Sequence, residues 1–433
     1  MSKIFVTGAS GFIARNIIAT LLKNGHEVVG CARNTSFVKT VFPDIKVIAA
    51  DFFVDTDPSV WEARLEGIDV IVNCVGVFQM PNPKDTWAAH YDAPRALFEA
   101  AEKTGVKKIV HLSALGIAHG KQPYSLSKLK IEDYLTHTNT LDSTILRPSF
   151  VYGPGSHGGS SLFRGFAGMP FILPLPGKAT QRFQPIHIED LARVVHESIT
   201  LSGKKMLTVV GPETLSLRTI LNTLRAWLGF KKVINIPVPF FLIKLLGKLG
   251  DRFADSPVNT TAVELMQYDN VASPQEAEQF MQSISFRPRG FTEALLTSPS
   301  QVQDRWHARL YFAKPLLRYS LAFIWLWTAF VVLFIYPHKE SYDLLSQMGA
   351  THPVWQGFLL YGGCLLNAAL GCLILLNYKI KLIGGLSIAV MLLYTGVITF
   401  YLPALWWQPF IPVAKNIPLI VATLIMMALE PDR

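Results

Sequence analysis

The chain has 433 residues, of which 50% are hydrophobic and 16% are charged. This length suits two or three domains, and so apolar a composition excludes an intrinsically disordered protein. The 40 Lys and Arg against 31 Asp and Glu give a formal charge of +9. A basic excess suits an anionic membrane surface as well as nucleic acid, but no nucleic-acid-binding motif accompanies it, so we expect no nucleic-acid partner. The four cysteines lack CxxC spacing, and no metal site is expected.

The first part of the chain alternates short β-branched runs with stretches of helical periodicity. We predict strands at Lys3–Thr7, Glu27–Ala32, Val47–Ala50, Val70–Val75, Lys108–Ser113 and Ser143–Leu146. Apolar spacing predicts helices over Phe12–Lys23, Thr86–Lys103 and Ser125–Leu135. Strands at this spacing need crossover helices, so residues 1–150 are predicted to form a doubly wound α/β sheet. From 151 to 304 proline and glycine interrupt the pattern, which predicts a smaller lobe on the substrate side.

Residues 305–433 hold four apolar blocks with few charges. The blocks are Leu316–Ile335, Val354–Leu376, Ile383–Leu402 and Pro412–Leu429. A helix needs roughly 20 apolar residues to cross a bilayer core, which the first three blocks satisfy directly. The fourth is short and carries Lys415, and it is counted as a span mainly because an odd number would not fit the charge distribution. We therefore predict an all-α four-helix transmembrane bundle.

Lys and Arg are distributed unequally between the two sides of these blocks. Arg305, Arg309, Lys314, Arg318, Lys379, Lys381 and Arg433 fall on one side, and Lys339 and Lys415 on the other. The positive-inside rule then predicts a multi-pass protein of the inner (plasma) membrane with both termini and the soluble part in the cytoplasm. None of the blocks contains Asp, Glu or His, which argues against ion transport. Three roles for the bundle remain: an anchor, a docking surface for a membrane protein partner, or a cleft for a lipophilic substrate.

A shorter apolar segment lies within the predicted smaller lobe. It runs from Phe240 to Leu249 and carries Lys244 and Lys248 four residues apart. The pattern is typical either of a helix lying flat at the headgroup boundary or of an ordinary helix packed on the lobe.

A glycine-rich turn directly follows the first predicted strand. It reads Thr7-Gly8-Ala9-Ser10-Gly11-Phe12-Ile13-Ala14 and opens the first helix. Gly8 permits the tight turn, Gly11 lets the backbone approach a pyrophosphate, and Ala14 allows the helix to pack closely on the strand. The free N–H groups at the start of the helix favour phosphates. The turn therefore predicts a dinucleotide cofactor bound at Gly8, Ser10, Gly11, Phe12 and Ile13.

The residues that follow the next strands bear on the choice of cofactor. An NAD site has Asp or Glu about 20 residues past the glycines, whereas here Arg33 follows the second strand. We expect NADP(H) in preference to NAD(H), the alternative being that Arg33 is a solvated cation. Asp51 and Phe52 follow the third strand, where the adenine edge is expected. Asn73 and Gly76 end the fourth strand, where the backbone passes beside the cofactor.

Three further residues predict the chemistry. Ser113 ends the fifth strand, and Tyr124 and Lys128 share one face of the following helix. A tyrosine hydroxyl loses its proton near pH 10, and a nearby ammonium together with the cofactor's charge is expected to lower the pKa of Tyr124 toward neutrality. Tyr124 then exchanges a proton with a carbonyl or alcohol, Ser113 hydrogen-bonds the same oxygen, and nicotinamide supplies the hydride.

Taken together, these residues resemble an extended or atypical short-chain dehydrogenase/reductase. The resemblance depends on Thr7-Gly8-x-x-Gly11-x-x-Ala14, Asn73-x-x-Gly76, Ser113, Tyr124-x-x-x-Lys128, and residues 146–155 and 185–192. Among the branches of that family, the chain is most similar to the one containing the NADPH-binding accessory subunit of respiratory complex I. The tail, with Lys415-Asn416-Ile417-Pro418 and Ala428-Leu429-Glu430, resembles a DoxX-like four-helix membrane domain.

The resemblance implies a Rossmann fold and a set of roles. Ser113, Tyr124 and Lys128 would serve hydride transfer. The cofactor would be contacted by Gly8, Gly11, Arg33, Asp51, Asn73, Tyr124, Lys128 and Pro148. His187 and Asp190 either touch the substrate or fix the start of the helix Ile188–Thr200.

The sequence and the resemblance indicate two functions and give weaker support to a third. The first is a membrane-anchored NADP(H)-dependent oxidoreductase acting on a carbonyl or alcohol of a lipophilic, quinone-like or isoprenoid-like substrate. The second is a non-catalytic NAD(P)H-binding scaffold or sensor subunit of a membrane complex, because the complex I relatives keep a nucleotide without evident turnover. The third is a nucleotide-sugar epimerase or dehydratase, since extended members of the family often have that activity.

Overall fold

The computed structural model describes residues 1–78, 80, 82–138, 140–156, 159–251, 259–409 and 412–430. These residues divide into two compact units, with the boundary between Arg309 and Leu310. The boundary falls within one long helix, Val302–Phe330. Arg433, which the charge distribution assigned to the cytoplasmic side, lies outside the described residues.

The first unit is built on a parallel sheet. The strands are β1 (Lys3–Thr7), β2 (Glu27–Ala32), β3 (Lys46–Ala49), β4 (Val70–Asn73), β5 (Lys108–Leu112), β6 (Asp142–Pro148), β7 (Val151–Tyr152), β8 (Ile172–Pro176), β9 (Arg182–Phe183), β10 (Ile186–His187), β11 (Lys205–Val209), β12 (Leu215–Ser216) and β13 (Ile234–Val238). Seven of them pair in the order β3-β2-β1-β4-β5-β6-β11, and every pair in that sheet is parallel. The others form two-stranded pairs, β7 with β10, β8 with β13 and β9 with β12.

The predicted doubly wound α/β sheet is confirmed. β1 and β2 have the predicted bounds, and β3 to β6 differ from the predictions by at most two residues at either end. The residues of β1 from Ile4 to Thr7 are fully buried, as expected of a parallel strand covered on both faces. The sequence pattern does not predict β11, which comes from the segment assigned to the smaller lobe and pairs with β6.

Helices cover both faces of this sheet. The helices of the first unit are α1 (Phe12–Lys23), α2 (Thr35–Val41), α3 (Ser59–Glu62), α4 (Pro83–Trp87), α5 (Ala93–Thr104), α6 (Pro123–His137), α7 (Gly159–Ala167), α8 (Ile188–Ser198), α9 (Leu217–Trp227), α10 (Phe240–Gly250), α11 (Thr260–Leu265), α12 (Pro274–Gln282) and α13 (Phe291–Thr297). Ile17 of α1 and Leu191 of α8 belong to one core cluster with Val6 of β1. Leu97 of α5 and Ile131 of α6 belong to the other cluster, which forms the core on the opposite face.

The predicted helix Thr86–Lys103 is interrupted. A π-helical turn, Ala88–Asp92, separates α4 from α5. Pro94 lies just after this turn, in the first turn of α5. A proline has no N–H to donate and its ring collides with the carbonyl four residues earlier, here that of His90, so a widened turn accommodates it.

The order of the strands reverses between β1 and β4. In open α/β sheets, ligands bind at such a switch point, beyond the carboxyl ends of the strands. The loops that follow β1 and β4 therefore form the edge at which the predicted site residues are expected.

The second unit is helical. Its helices are α14 (Val302–Phe330), which begins in the first unit, α15 (His338–Gln347), α16 (Pro353–Leu375), α17 (Ile380–Tyr401) and α18 (Asn416–Ala428). Within the described part of the chain, three helical segments are long and apolar enough to cross a membrane, namely Val302–Ile335, Pro353–Leu375 and Ile380–Tyr401. The fourth predicted block forms only the 13 residues of α18, fewer than the roughly 20 that a span needs.

Glycines bring these helices close together. A Cβ on Gly371 of α16 would lie 2.7 Å from Leu326 Cγ, and one on Gly384 of α17 would lie 2.6 Å from Met427 Cγ of α18. Small residues at such contacts allow helices to pack in an apolar medium where the hydrophobic effect contributes little.

Candidate active site

The glycine-rich turn after β1 has a geometry that only glycine accommodates well. Gly8 has φ of +65°, and a Cβ there would lie 3.3 Å from the carbonyl oxygen of Cys74 and 3.4 Å from Val75 Cα. The amide of Gly11 donates to Gly8 O at 2.8 Å, and a Cβ on Gly11 would lie 3.0 Å from that oxygen. The turn thus lies directly against the backbone that follows β4, across the switch point of the sheet.

The N-terminus of α1 is open to an anion. Gly11 is its N-cap residue, no side chain caps the helix, and the first turn holds no acidic residue. The side chain of Phe12 is buried and Ile13 packs against the same core, so these residues present backbone N–H groups. Ser10 is half-buried beside them. The first N–H groups of a helix lack intrahelical acceptors and favour phosphate, so this cradle fits the diphosphate of a dinucleotide.

The strand ends beyond the cradle carry Arg33 and Asp51. Arg33 is exposed, and its guanidinium carbon lies 5.0 Å from the centre of the Phe53 ring. Asp51 accepts a hydrogen bond from the Phe53 amide at 3.0 Å. The ring of Phe52 instead packs on Trp61 in the core. Phe53, which the sequence argument missed, is therefore the aromatic residue that holds Arg33 at this edge.

Asn73, at the end of β4, is hydrogen-bonded to side chains of β1 and β5 in a buried network. Thr7 Oγ1 donates to Asn73 Oδ1 at 2.6 Å, and Asn73 Nδ2 donates to His111 Nδ1 at 3.0 Å. The Cys74 amide donates to Thr7 Oγ1 at 3.1 Å. Because the side chain of Asn73 is fully buried and hydrogen-bonded at both ends, it fixes the path of the loop after β4. Gly76, farther along that loop, is exposed.

Lys128 contacts the end of β5, next to Ser113. Lys128 Nζ donates to the carbonyl oxygen of Leu112 at 3.1 Å, which ties α6 to the residue before Ser113. The hydroxyl of Ser113 is buried and has no hydrogen-bond partner among the described residues. Burial lowers the pKa of Lys128 to about 8, while the carboxylate of Glu132 opposes that shift. The site thus holds an unpartnered hydroxyl close to a buried amine.

Tyr124 lies in contact with the loop after β4. Its ring centre is 5.2 Å from that of Phe78 and 5.7 Å from Lys128 Nζ. Burial raises the pKa of Tyr124, so the ammonium alone, without the charge of the cofactor, does not produce the predicted lowering. The chain's own groups therefore keep the phenol protonated at neutral pH, because desolvation outweighs a cation that is already hydrogen-bonded to Leu112.

His90, which the sequence argument missed, supports Tyr124. The two ring centres are 5.3 Å apart and nearly perpendicular. His90 Nε2 accepts from the Val77 amide at 3.0 Å, and its Nδ1 is 3.3 Å from Ser127 Oγ. Since Ser127 Oγ donates to Pro123 O, these contacts assign the Nδ1–H tautomer. His90 therefore links the loop after β4 to the helix that carries Tyr124.

Asn270 holds the loop between β5 and α6 from the outside. Its Nδ2 donates to Leu115 O at 2.8 Å, and its Oδ1 accepts from Ser149 Oγ at 2.6 Å. The Leu115 amide donates to the carbonyl of Pro148, a buried residue at the end of β6. Pro148 is thereby placed beside the loop that follows Ser113.

His187 and Asp190 lie at the start of α8. His187 is the N-cap residue, and its side chain accepts from the Glu189 amide. Asp190 accepts from the Arg289 guanidinium at 3.1 Å. The interpretation that these residues fix the start of a helix is confirmed.

The buried histidines make stability depend on pH. Burial, with a smaller effect of the Lys128 charge, holds the pKa of His90 and of His111 well below the ordinary value. Below about pH 6.5 the unfolded chain binds protons that the folded chain does not, so stability is fully present above that pH and falls as the pH falls. We expect the thermal unfolding midpoint to drop between pH 7 and pH 5, and to drop less in His111→Phe. His137→Gln, which changes an exposed imidazole, is the control; equal drops in all three proteins would contradict the assignment.

Comparisons with known families match two separate parts of the chain. Residues 4–209 match the NAD dependent epimerase/dehydratase family. Residues 322–424 match the DoxX-like family. This second match and the three long apolar helices indicate a membrane protein.

Three similar proteins are enzymes. A chloroplastic divinyl chlorophyllide a 8-vinyl-reductase of Zea mays is 26% identical over 65% of this chain and 79% of its own length. A 3 beta-hydroxysteroid dehydrogenase/Delta 5-->4-isomerase of Mycobacterium tuberculosis is 24% identical over 36% of this chain and 48% of its own length. A ceramide reductase of Caulobacter vibrioides is 27% identical over 44% of this chain and 58% of its own length. The match thus spans only about half the length of the last two relatives.

Among solved structures, the UDP-glucose 4-epimerase of Thermus thermophilus in complex with NAD is similar in fold. It is 22% identical with a TM-score of 0.53, and the match covers 68% of this chain and 96% of that one. The family and the relatives together support an NAD(P)-dependent enzyme. The chain thus joins a Rossmann domain that is similar to the NAD dependent epimerase/dehydratase family to a C-terminal domain that is similar to the DoxX-like family.

Proposed function

We propose that the chain is a membrane-anchored, NADP(H)-dependent oxidoreductase that interconverts a carbonyl and an alcohol on a lipophilic substrate. The observation that carries the proposal is the unpartnered hydroxyl of Ser113, buried beside Lys128 and at the same sheet edge as the glycine cradle. A buried hydroxyl without a partner is costly unless a ligand oxygen completes it. When bound, the nicotinamide of the cofactor supplies or accepts the hydride.

The residues of the chain then have separate tasks. Tyr124, protonated because burial raises its pKa, donates its proton to the carbonyl oxygen of the substrate during reduction. Ser113 donates a hydrogen bond to the same oxygen and so orients it. Lys128, held at Leu112 O, stabilises the phenolate that Tyr124 becomes. In the direction of alcohol oxidation the same proton returns to Tyr124.

Arg33 supports NADP(H) over NAD(H), because a guanidinium at the end of β2 suits a 2′-phosphate and no acid replaces it there. We expect Arg33→Ala to weaken NADPH binding about tenfold or more and to leave NADH binding unchanged, as for a lost charge-assisted hydrogen bond. Arg193→Ala is the matched control, since Arg193 also lies over a phenylalanine ring, that of Phe286, at 4.0 Å. Equal losses for both cofactors in Arg33→Ala would contradict the preference.

The helix α10 supports a lipophilic substrate. Phe241 is 68% exposed and Leu246 is 56% exposed, while Gly247 packs so closely that a Cβ would lie 3.1 Å from Val263 of α11. The carboxylate of Glu264 in α11 accepts from the Lys121 amide at 3.1 Å, three residues before Tyr124. An apolar, lysine-bearing helix of this kind suits the headgroup boundary of a bilayer. We infer that this face, within residues 151–304, meets the membrane near the substrate entrance.

The relatives support the same substrate class. Two of them are named for a hydroxysteroid and a ceramide, which are lipids that carry a hydroxyl group. We propose a substrate of comparable polarity, with quinone-like and isoprenoid-like molecules included. The test is turnover of NADPH by the purified chain with a panel of lipid carbonyls, of which at least one should be reduced; failure of the whole panel would contradict the proposal.

The membrane arrangement is also a proposal. We infer four spans in the plasma membrane, with α18 as the short fourth one, and a cytoplasmic Rossmann domain. The unequal Lys and Arg counts support this orientation. A fluorescent protein that folds only in the cytoplasm, fused after Arg433, should be bright; a dark fusion that is rescued by a periplasmic reporter would contradict it.

A non-catalytic role has one observation in its favour. Tyr124 packs between Phe78 and His90, and burial opposes loss of its proton. A scaffold or sensor subunit, like the complex I accessory subunit that the sequence resembles, would keep its cofactor in such a site without turnover. Replacement of Tyr124 separates the two functions, since only the enzyme needs the hydroxyl.

A further inference from the structure

The second unit contains a cavity of about 140 Å³ among its apolar helices. α14, α16, α17 and α18 all contribute to it, with Leu321 and Trp325 on the apolar side and Asn367, Tyr394 and Asn416 supplying polar groups. None of the described residues that line it is charged at neutral pH. A volume near 150 Å³ accepts a benzene ring, so the cavity has room for about one small ring or a short length of chain.

Asn367 is the unusual member of this lining. Asn367 is only 7% exposed, and its Oδ1 has no hydrogen-bond partner among the described residues. Two other polar groups of the lining are engaged: Thr328 Oγ1 donates to Ile324 O at 2.8 Å, and Asn416 Nδ2 donates to Thr395 Oγ1 at 2.8 Å. In a bilayer no bulk water can hydrogen-bond to an unpartnered amide oxygen. A buried Asn367 therefore needs another hydrogen-bond partner, such as a ligand.

We propose that this cavity binds the hydroxyl end of a membrane alcohol, with the amide of Asn367 hydrogen-bonded to that hydroxyl. An amide presents both a donor and an acceptor, and a hydroxyl satisfies both, whereas a carbonyl or an ether only accepts. A charged headgroup does not suit the site, because the lining offers no counter-charge. The remaining hydrocarbon of the ligand suits the apolar surfaces of the same helices. This site is separate from the dinucleotide site and does not depend on the proposed function.

Photolabelling of the full chain in phosphatidylcholine nanodiscs tests the site. The probes are a long-chain primary alcohol carrying a diazirine near the hydroxyl and the methyl ether of the same molecule. We expect the alcohol to label peptides of α14, α16 and α17 about three- to tenfold more than the ether, as for one hydrogen bond in a membrane. In Asn367→Leu the labelling by the alcohol should fall to the level of the ether. Ser387→Ala, which alters a buried serine of α17 outside the cavity lining, should leave it unchanged.

A second measurement covers the case in which Asn367→Leu does not fold. On the unaltered chain, an excess of unlabelled long-chain alcohol should suppress the labelling, and an equal excess of the ether should not. Equal labelling by alcohol and ether, equal competition by both, or undiminished selectivity in a folded Asn367→Leu would each overturn the proposal. Because none of these readouts involves NADPH, their failure is distinguishable from failure of the oxidoreductase assignment.

Discussion

Replacing Tyr124 with phenylalanine should lower kcat at least about a hundredfold while NADPH remains bound, since general acid catalysis contributes about that much. The substitution removes the hydroxyl that transfers the proton but keeps the ring that packs against Phe78 and His90. Neither the glycine cradle nor the anchor between Lys128 and Leu112 depends on the lost oxygen. The change should therefore appear in kcat and leave the cofactor affinity nearly constant.

The control for this substitution lies on the same helix. Tyr134 belongs to α6 but lies beyond the site, where it packs against the core that includes Leu97 and Ile131. Tyr134→Phe makes the identical chemical change and should leave both kcat and cofactor affinity within about twofold of the unaltered chain, as for a change remote from the reacting atoms. Turnover preserved in Tyr124→Phe would favour the non-catalytic scaffold.

Replacing Gly8 with alanine should weaken dinucleotide binding about tenfold or more. The left-handed backbone at Gly8 costs an alanine about 1–2 kcal/mol. In addition, the new Cβ would lie 3.3 Å from Cys74 O and 3.4 Å from Val75 Cα, tight enough to displace the loop after β4. Both effects distort the turn that aims the N–H groups of α1 at the diphosphate. Fluorescence titration with NADPH measures the loss directly.

Gly25→Ala is the control that separates the loss of cofactor binding from the effect of backbone strain alone. Gly25 also has a left-handed backbone, with φ of +78°, but a Cβ there would meet nothing within 4 Å. Both variants should lose thermal stability through backbone strain, Gly8→Ala the more because its Cβ also presses on the loop after β4, and Gly8→Ala alone should lose affinity. An NADPH affinity unchanged in Gly8→Ala would show that the turn does not hold the cofactor.

The elements that the sequence predicts best are those whose signals are local. The β-branched run of β1, the glycine-rich turn and the apolar spacing of α1 are contiguous, and the structure has both elements at the predicted bounds. Parallel topology then places the ends of β1, β4 and β5 on one edge, which brings Gly8, Asn73 and Ser113 to the same side of the sheet.

The features that the sequence did not predict depend on contacts between distant segments. His90 contacts Tyr124 from within the widened helical turn that precedes Pro94, and that proline was the local signal available. The raised pKa of Tyr124 comes from burial, and its ring contacts Phe78 and His90, which are far from it in sequence. β11 lies in a segment interrupted by proline and glycine, so no regular spacing of apolar residues predicted this strand or its pairing with β6.

The central claim is that a pyridine dinucleotide binds between the turn after β1 and the loop after β4. Isothermal titration calorimetry of the detergent-solubilised chain with NADPH, and separately with NADH, tests it most directly. We expect one binding event per chain with NADPH, weaker binding of NADH, and weaker binding of NADPH in Gly8→Ala. Absence of binding heat with both coenzymes would contradict it.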